Sequence, residues 1–143
     1  MFELETEADA VLRVIADIES RAKDWTPALN EAALYMEAQT KENFAKQQDP
    51  DGNPWQPLAQ STLIQKRKRK APSAILRDTS SLVSGITARP ASATQSSVET
   101  TANRTAGLWH QRGTKRMPQR RYMGFAQRHI DAIEQILKGH VDG

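Results

Sequence analysis

Apolar side chains return every three to four residues at both ends of this chain. Val11, Leu12, Ile15, Ile18 and Ala22 do so with Arg13, Asp17 and Glu19 between them. That spacing predicts an amphipathic helix, with Thr6 as N-cap and acids in its first turn. Trp25-Thr26-Pro27 interrupts it. Thr26 can cap a second helix and Pro27 suits its first position. The second helix is predicted to run to about Gln48, with Leu29, Ala33, Met36, Thr40 and Phe44 on its inner face. Two narrow stripes imply an antiparallel hairpin or packing onto a sheet. At the far end Phe125, His129, Ile130, Ile133, Ile136 and Leu137 predict a closing helix over about 124–138, with Gly139 as its stop.

The middle reads differently. Residues 84–90 and 95–102 are rich in Thr and Ser around Ile86 and Val98, with turn-like residues between them. They predict a weak antiparallel hairpin that needs a helix or a third strand to cover it. Short helices are predicted near Ser61–Gln65, from Asp78 or Thr79, and over Arg104–Gln111. Residues 113–121 are polar and loop-like. The fold class is α+β: an N-terminal helical pair, a small antiparallel sheet and a C-terminal helix in one domain over 1–143. Its parts are a helical hairpin (1–48), a connector with a basic run (49–72) and an α+β portion (73–143).

The connector is the most informative stretch. Asp49-Pro50-Asp51-Gly52-Asn53-Pro54-Trp55-Gln56-Pro57-Leu58 holds three prolines, a glycine and a tryptophan. Pro50 at the second position of a tight turn, followed by Asp and Gly, has a clear conformational reason. Trp55, held between two prolines, is expected to dock at a fixed place.

Charge adds an asymmetry. Residues 1–51 carry 5 Lys/Arg against 12 Asp/Glu, and residues 52–143 carry 15 against 5. Either the halves neutralise each other within one fold, or they meet between copies or on an anionic partner. Lys66-Arg67-Lys68-Arg69-Lys70 is a run of five cations, expected to be frayed or looped because like charges at i and i+4 disfavour helix.

Little chemistry is encoded. There is no cysteine, which excludes disulfides and thiolate metal sites. His110, His129 and His140 fall in no metal-ligand pattern, and no nucleophile motif or phosphate loop occurs. Asp49, Asp51 and Asn53 faintly resemble a calcium loop, but Gly52 comes too early and Gln60 stands where the closing Glu belongs. The reading is therefore a non-enzyme with no cofactor. No apolar run spans a membrane and no signal peptide is expected.

Four blocks together resemble the phage virion morphogenesis family, the tail-completion proteins of tailed bacteriophages such as Mu. The first is Asp49 to Leu58 with Thr62. The second is Ile75-Leu76-Arg77-Asp78-Thr79 with Leu82 and Ile86, where Ser80 and Gly85 depart from the usual glycine and serine. The third is Gly107-Leu108-Trp109-His110-Gln111-Arg112-Gly113. The fourth is Met117-Pro118-Gln119-Arg120-Arg121-Tyr122-Met123-Gly124-Phe125. Their order and spacing match over about residues 25–139. The resemblance implies a structural role in the virion neck. It further implies assembly in the host cytoplasm and a homo-oligomeric ring, a hexamer by analogy with the tail tube. Expected neighbours are the head-tail connector, the tail terminator and virion DNA in the lumen. Isolated aromatics (Trp55, Trp109, Tyr122, Phe125) are candidate anchors between copies, and Glu31, Glu37 and Glu42 are candidate acidic contacts. Lys66, Arg67, Lys68, Arg69, Lys70, Arg116, Arg120 and Arg121 are candidates to face DNA or a partner. The alternative is a small nucleic-acid-binding protein using 66–70 and 112–121 on phosphate.

Overall fold

The computed structural model describes residues 2–70, 75, 81–101 and 104–142. Helices α1 (Phe2–Lys23), α2 (Thr26–Lys46), α3 (Gln60–Lys68) and α4 (Ser81–Ser84) lead to strands β1 (Ile86–Arg89) and β2 (Ser97–Thr100). Helices α5 (Arg104–Arg112) and α6 (Gln127–Asp142) follow. The strands pair antiparallel, from Ile86 opposite Thr100 to Arg89 opposite Ser97. The α+β class holds, with helices at both ends and one two-stranded sheet among the described residues. No described helix is long and apolar enough to cross a membrane.

Helix α2 is the organising element. It packs on β1, β2 and α6. Its inner face is Ala28, Ala32, Ala33, Met36, Thr40, Asn43 and Phe44. The alanines bring the backbone close to its neighbours. Buried Thr40 satisfies its hydroxyl by donating to the Met36 carbonyl at 2.7 Å. The core gathers Phe44, Trp55, Ile75, Leu82, Val83, Ile86 and Tyr122.

Several elements depart from their sequence-based limits. Helix α1 starts at Phe2, four residues before the expected cap. The N-cap of α2 is Trp25 rather than Thr26, and the preceding Asp24 carboxylate accepts from the Thr26 N–H at 3.1 Å and the Thr26 hydroxyl at 2.6 Å. The basic run does not fray at its start. Lys66, Arg67 and Lys68 form the last turn of α3, where cations complement the dipole. Chain direction changes only at Lys70, which has φ 56°. Gly139 does not stop α6, which runs on to Asp142. Docking of its last turn supplies the reason: the His140 Nε2–H donates to the Arg21 and Asp24 carbonyls, both at 2.8 Å. These satisfy carbonyls left open at the end of α1. The expected start of a helix at Asp78 or Thr79, and the stop at Ala71-Pro72-Ser73, lie outside the described residues.

The N-terminal helices do not pair along their lengths. Among the described residues α1 meets α6, where Arg21 and Asp24 bond to the end of that helix. Every residue from Asp9 to Ser20 is exposed.

Candidate functional site

The Pro-rich connector closes on itself. The Gly52 N–H donates to the Asp49 carbonyl at 3.0 Å, closing a turn with Pro50 at its second position. The Asp49 N–H donates to the Asn53 carbonyl at 2.8 Å, and Gln48 bridges to Pro54. Gly52 takes φ 90°, the left-handed region that favours glycine. The Asp49 carboxylate accepts from the Asp51 and Asn53 N–H groups, both at 2.9 Å, and from the Asn53 amide at 3.3 Å. Asp51 pairs with Arg121 at 2.9 Å. These oxygens make a side-chain-stabilised turn. Among the described residues no group of three or more His, Cys, Asp or Glu could hold a metal.

Trp55 leaves this turn into the core. It stands edge-on to Phe44, with ring centroids 5.5 Å apart. Its indole N–H donates to the Arg121 carbonyl at 2.8 Å. Tyr122 completes the cluster 5.2 Å from Phe44. The Tyr122 hydroxyl meets Thr100 Oγ1 at 3.2 Å, and its carbonyl accepts from the buried Asn43 amide at 2.9 Å. Burial pushes the Tyr122 phenol up, an effect partly offset by the Thr100 bond.

The remaining blocks converge on the same cluster. Gln111 Oε1 accepts from the Tyr122 and Met123 N–H groups at 3.0 and 3.1 Å. Its Nε2 donates to the Met123 carbonyl at 2.6 Å. Gly107 faces the Tyr122 hydroxyl so closely that a Cβ there would lie 2.5 Å away. Gly113 turns the chain at φ 76°, letting the Arg120 N–H reach the His110 carbonyl at 2.8 Å. Arg120 is buried and donates to the Gln56 and Pro57 carbonyls at 2.8 and 3.1 Å. It therefore joins the connector to the fourth block. The described residues of the four blocks meet in one structural nucleus, to which the second block contributes Ile75, Leu82 and Ile86. Most of the signature is a fold signature, and Trp109 and Phe125 are large apolar members of it that stay exposed.

Two of the three histidines, His129 and His140, hold helix ends. His129 is fully buried, and its Nδ1 accepts the Ala126 N–H at 2.9 Å, closing the start of α6 as a capping-box residue would. Burial holds its pKa below the usual range, with Arg128 adding to this and Asp51 and Glu42 opposing. His110 is lowered first by burial, then by Arg120 and Lys66. His140 bonds the end of α1 and lies 5.1 Å from the Trp25 ring.

The candidate residues thus separate. Trp55 and Tyr122, expected as anchors between copies, are core side chains of their own chain. Arg120 and Lys66, expected to face DNA or a partner, are buried. Helical geometry sends Lys66 inward while Arg67, Lys68, Arg69 and Lys70 stay exposed, so the five cations form no continuous strip. Arg116 is exposed, and Arg121 is half-buried against Asp51. Glu31 is exposed, whereas Glu37 and Glu42 pair along α2 with Lys41 at 3.1 Å and Lys46 at 2.7 Å. Trp109 and Phe125 remain exposed, at 50% and 65%.

Two surfaces escaped the sequence reading. One is the apolar face of α1, whose periodicity predicts packing within the chain but which is exposed from Val11 to Ile18. The other is an open groove of ≈ 590 Å³ between α2, β2 and α6, lined in part by Ala33, Met36, Val98 and Phe125. Only the assembled fold creates it.

The fold is thus an α+β domain whose described motif residues largely build its core, and whose exposed features include an apolar helix face and a groove. The model of the phage virion morphogenesis family matches residues 6–142. The chain belongs to that family, has a role in phage virion morphogenesis and is virion-associated. Neither a curated protein nor a solved structure matches it.

Proposed function

We propose that this chain completes the phage tail at its head-proximal end, as a ring of identical copies in the neck that joins tail to head. Its neighbours there would be the head-tail connector and the tail terminator. The observation that carries the reading, beside family membership, is α1: a long amphipathic helix whose apolar face is exposed from Val11 to Ile18 among the described residues. A helix of that kind is held for contact with another molecule. Head-to-tail contacts between identical subunits close into rings when the rotation permits. Against the nucleic-acid alternative stands the burial of Lys66 and Arg120, which removes two cations from the phosphate-facing set. The test is loss of the chain during phage growth. Complete heads and complete tails should accumulate unjoined, and added purified protein should restore joining. Tails of aberrant length, or malformed heads, would contradict the assignment.

A further inference from the structure

Helix α1 has 22 residues and, at about 1.5 Å per residue, extends roughly 33 Å. Val11, Leu12, Val14, Ile15 and Ile18 are between 41% and 62% exposed. Along an isolated helix such a stripe gains nothing from its regular spacing. The chain's own groove does not receive it. His140 bonds the carbonyls of Arg21 and Asp24, and the Arg21 guanidinium donates to the Val141 carbonyl at 3.4 Å. These contacts fix the exit of α1 at the end of α6, and no residue of α1 lines the groove.

We propose that the apolar face of α1 from one copy occupies the groove between α2, β2 and α6 of a second copy. The two surfaces match in kind. The groove wall is apolar, and its small residues Ala33, Ser97 and Gly124 admit a close helix. Phe125, two-thirds exposed, stands at its edge as an anchor. The contact is a helix laid in a groove, read through anchors at i, i+3, i+4 and i+7: Val11, Val14, Ile15 and Ile18. Charge chooses the second copy and the direction. The first twelve residues carry four acids and no base, whereas residues 112–122, which lead into the groove wall at Met123, carry no acid and hold three exposed cations, Arg112, Lys115 and Arg116. The acidic end of α1 therefore points toward the basic segment of its neighbour. Apolar contact supplies the affinity, and charge sets orientation. Because helix and groove lie at different places on one chain, the contact is heterologous and propagates.

This inference rests on the reading that copies of the chain associate, and a mixing experiment separates the two. Ile15→Asp disables the helix and Phe125→Asp disables the groove. Both positions are exposed, so helix content and unfolding temperature of each variant should match wild type. Masses are measured by light scattering on the full-length chain. Each variant alone should associate on the order of 100-fold more weakly than wild type, because a carboxylate would be buried in an apolar contact. Mixed together, they should form a 1:1 pair and stop there, since one intact helix meets one intact groove. Self-association of Phe125→Asp through its intact α1 would show helix-to-helix pairing and overturn the proposal. So would a wild-type oligomer that Ile15→Asp leaves unchanged, although association itself would stand. A wild-type chain that stays monomeric to about 1 mM, the weak end of specific association, would overturn both.

Discussion

Replacing Trp55 by alanine removes the side chain that ties the connector to the fourth motif block. Trp55 is 5% exposed, stands edge-on to Phe44 and donates to the Arg121 carbonyl at 2.8 Å. Truncating a buried aromatic costs about 3–5 kcal/mol through lost transfer energy and the cavity left behind. The stranded Arg121 carbonyl adds about 1 kcal/mol. The neighbours cannot collapse easily, because Pro54 and the Gln47–Trp55 backbone bond hold the connector in place. The expected loss is therefore about 4–6 kcal/mol, a large part of the ~5–15 kcal/mol that holds a domain folded. In urea, with a slope of about 2 kcal/mol/M, the midpoint should fall by about 2 M or more. Trp55→Phe keeps an aromatic ring but removes the donor, and should lose only about 1–2 kcal/mol. An alanine variant within about 1 kcal/mol of wild type, or a phenylalanine variant as weak as alanine, would refute this account of the core.

The other expectations concern the same nucleus and its surroundings. Because burial lowers the pKa of His129 and His110, the unfolded chain binds more protons below its histidine pKa of about 6.5. Stability should thus be full above that value and fall as pH drops below it, and His129→Gln, which keeps an acceptor for Ala126, should flatten thermal unfolding curves between pH 7 and 5. An unchanged slope in His129→Gln would be the contrary result. Gly107→Ala, which in an open helix would stabilise, should here cost about 1–3 kcal/mol against the Tyr122 hydroxyl, and adding Tyr122→Phe should relieve part of it in a denaturant series. Additive effects of the two changes would rule out that contact. Gln at Arg67, Lys68 and Lys70 together should move stability by no more than about 0.5 kcal/mol per site, while Lys66→Ala, at a buried position, should destabilise measurably by calorimetry.

Much of the nucleus was legible because its signals are local. Pro50, Gly52 and the two prolines around Trp55 restrict the backbone directly, so the turn and the docking of Trp55 followed from conformational rules. The strands around Ile86 and Val98, and the stripe on α2, followed from periodicity. What escaped depends on distant partners. Arg120 reads as a surface cation until the Gln56 and Pro57 carbonyls are placed against it. Gly139 reads as a helix stop until His140, one residue on, is seen to hold the end of α1. Lys66 reads as one of five equal charges until the helix turns it inward. The same limit governed α1. Its stripe predicts an apolar contact, and spacing alone does not distinguish a contact within the chain from one with another copy.

The claim that this chain completes the tail at the neck is tested most directly by an electron cryo-microscopy map of the intact particle of the phage that encodes it. The account predicts a closed ring of this chain at the head-proximal end of the tail, between tail and connector. Density for the chain in the capsid lattice or at the distal tip of the tail, or its absence from the finished particle, would contradict it.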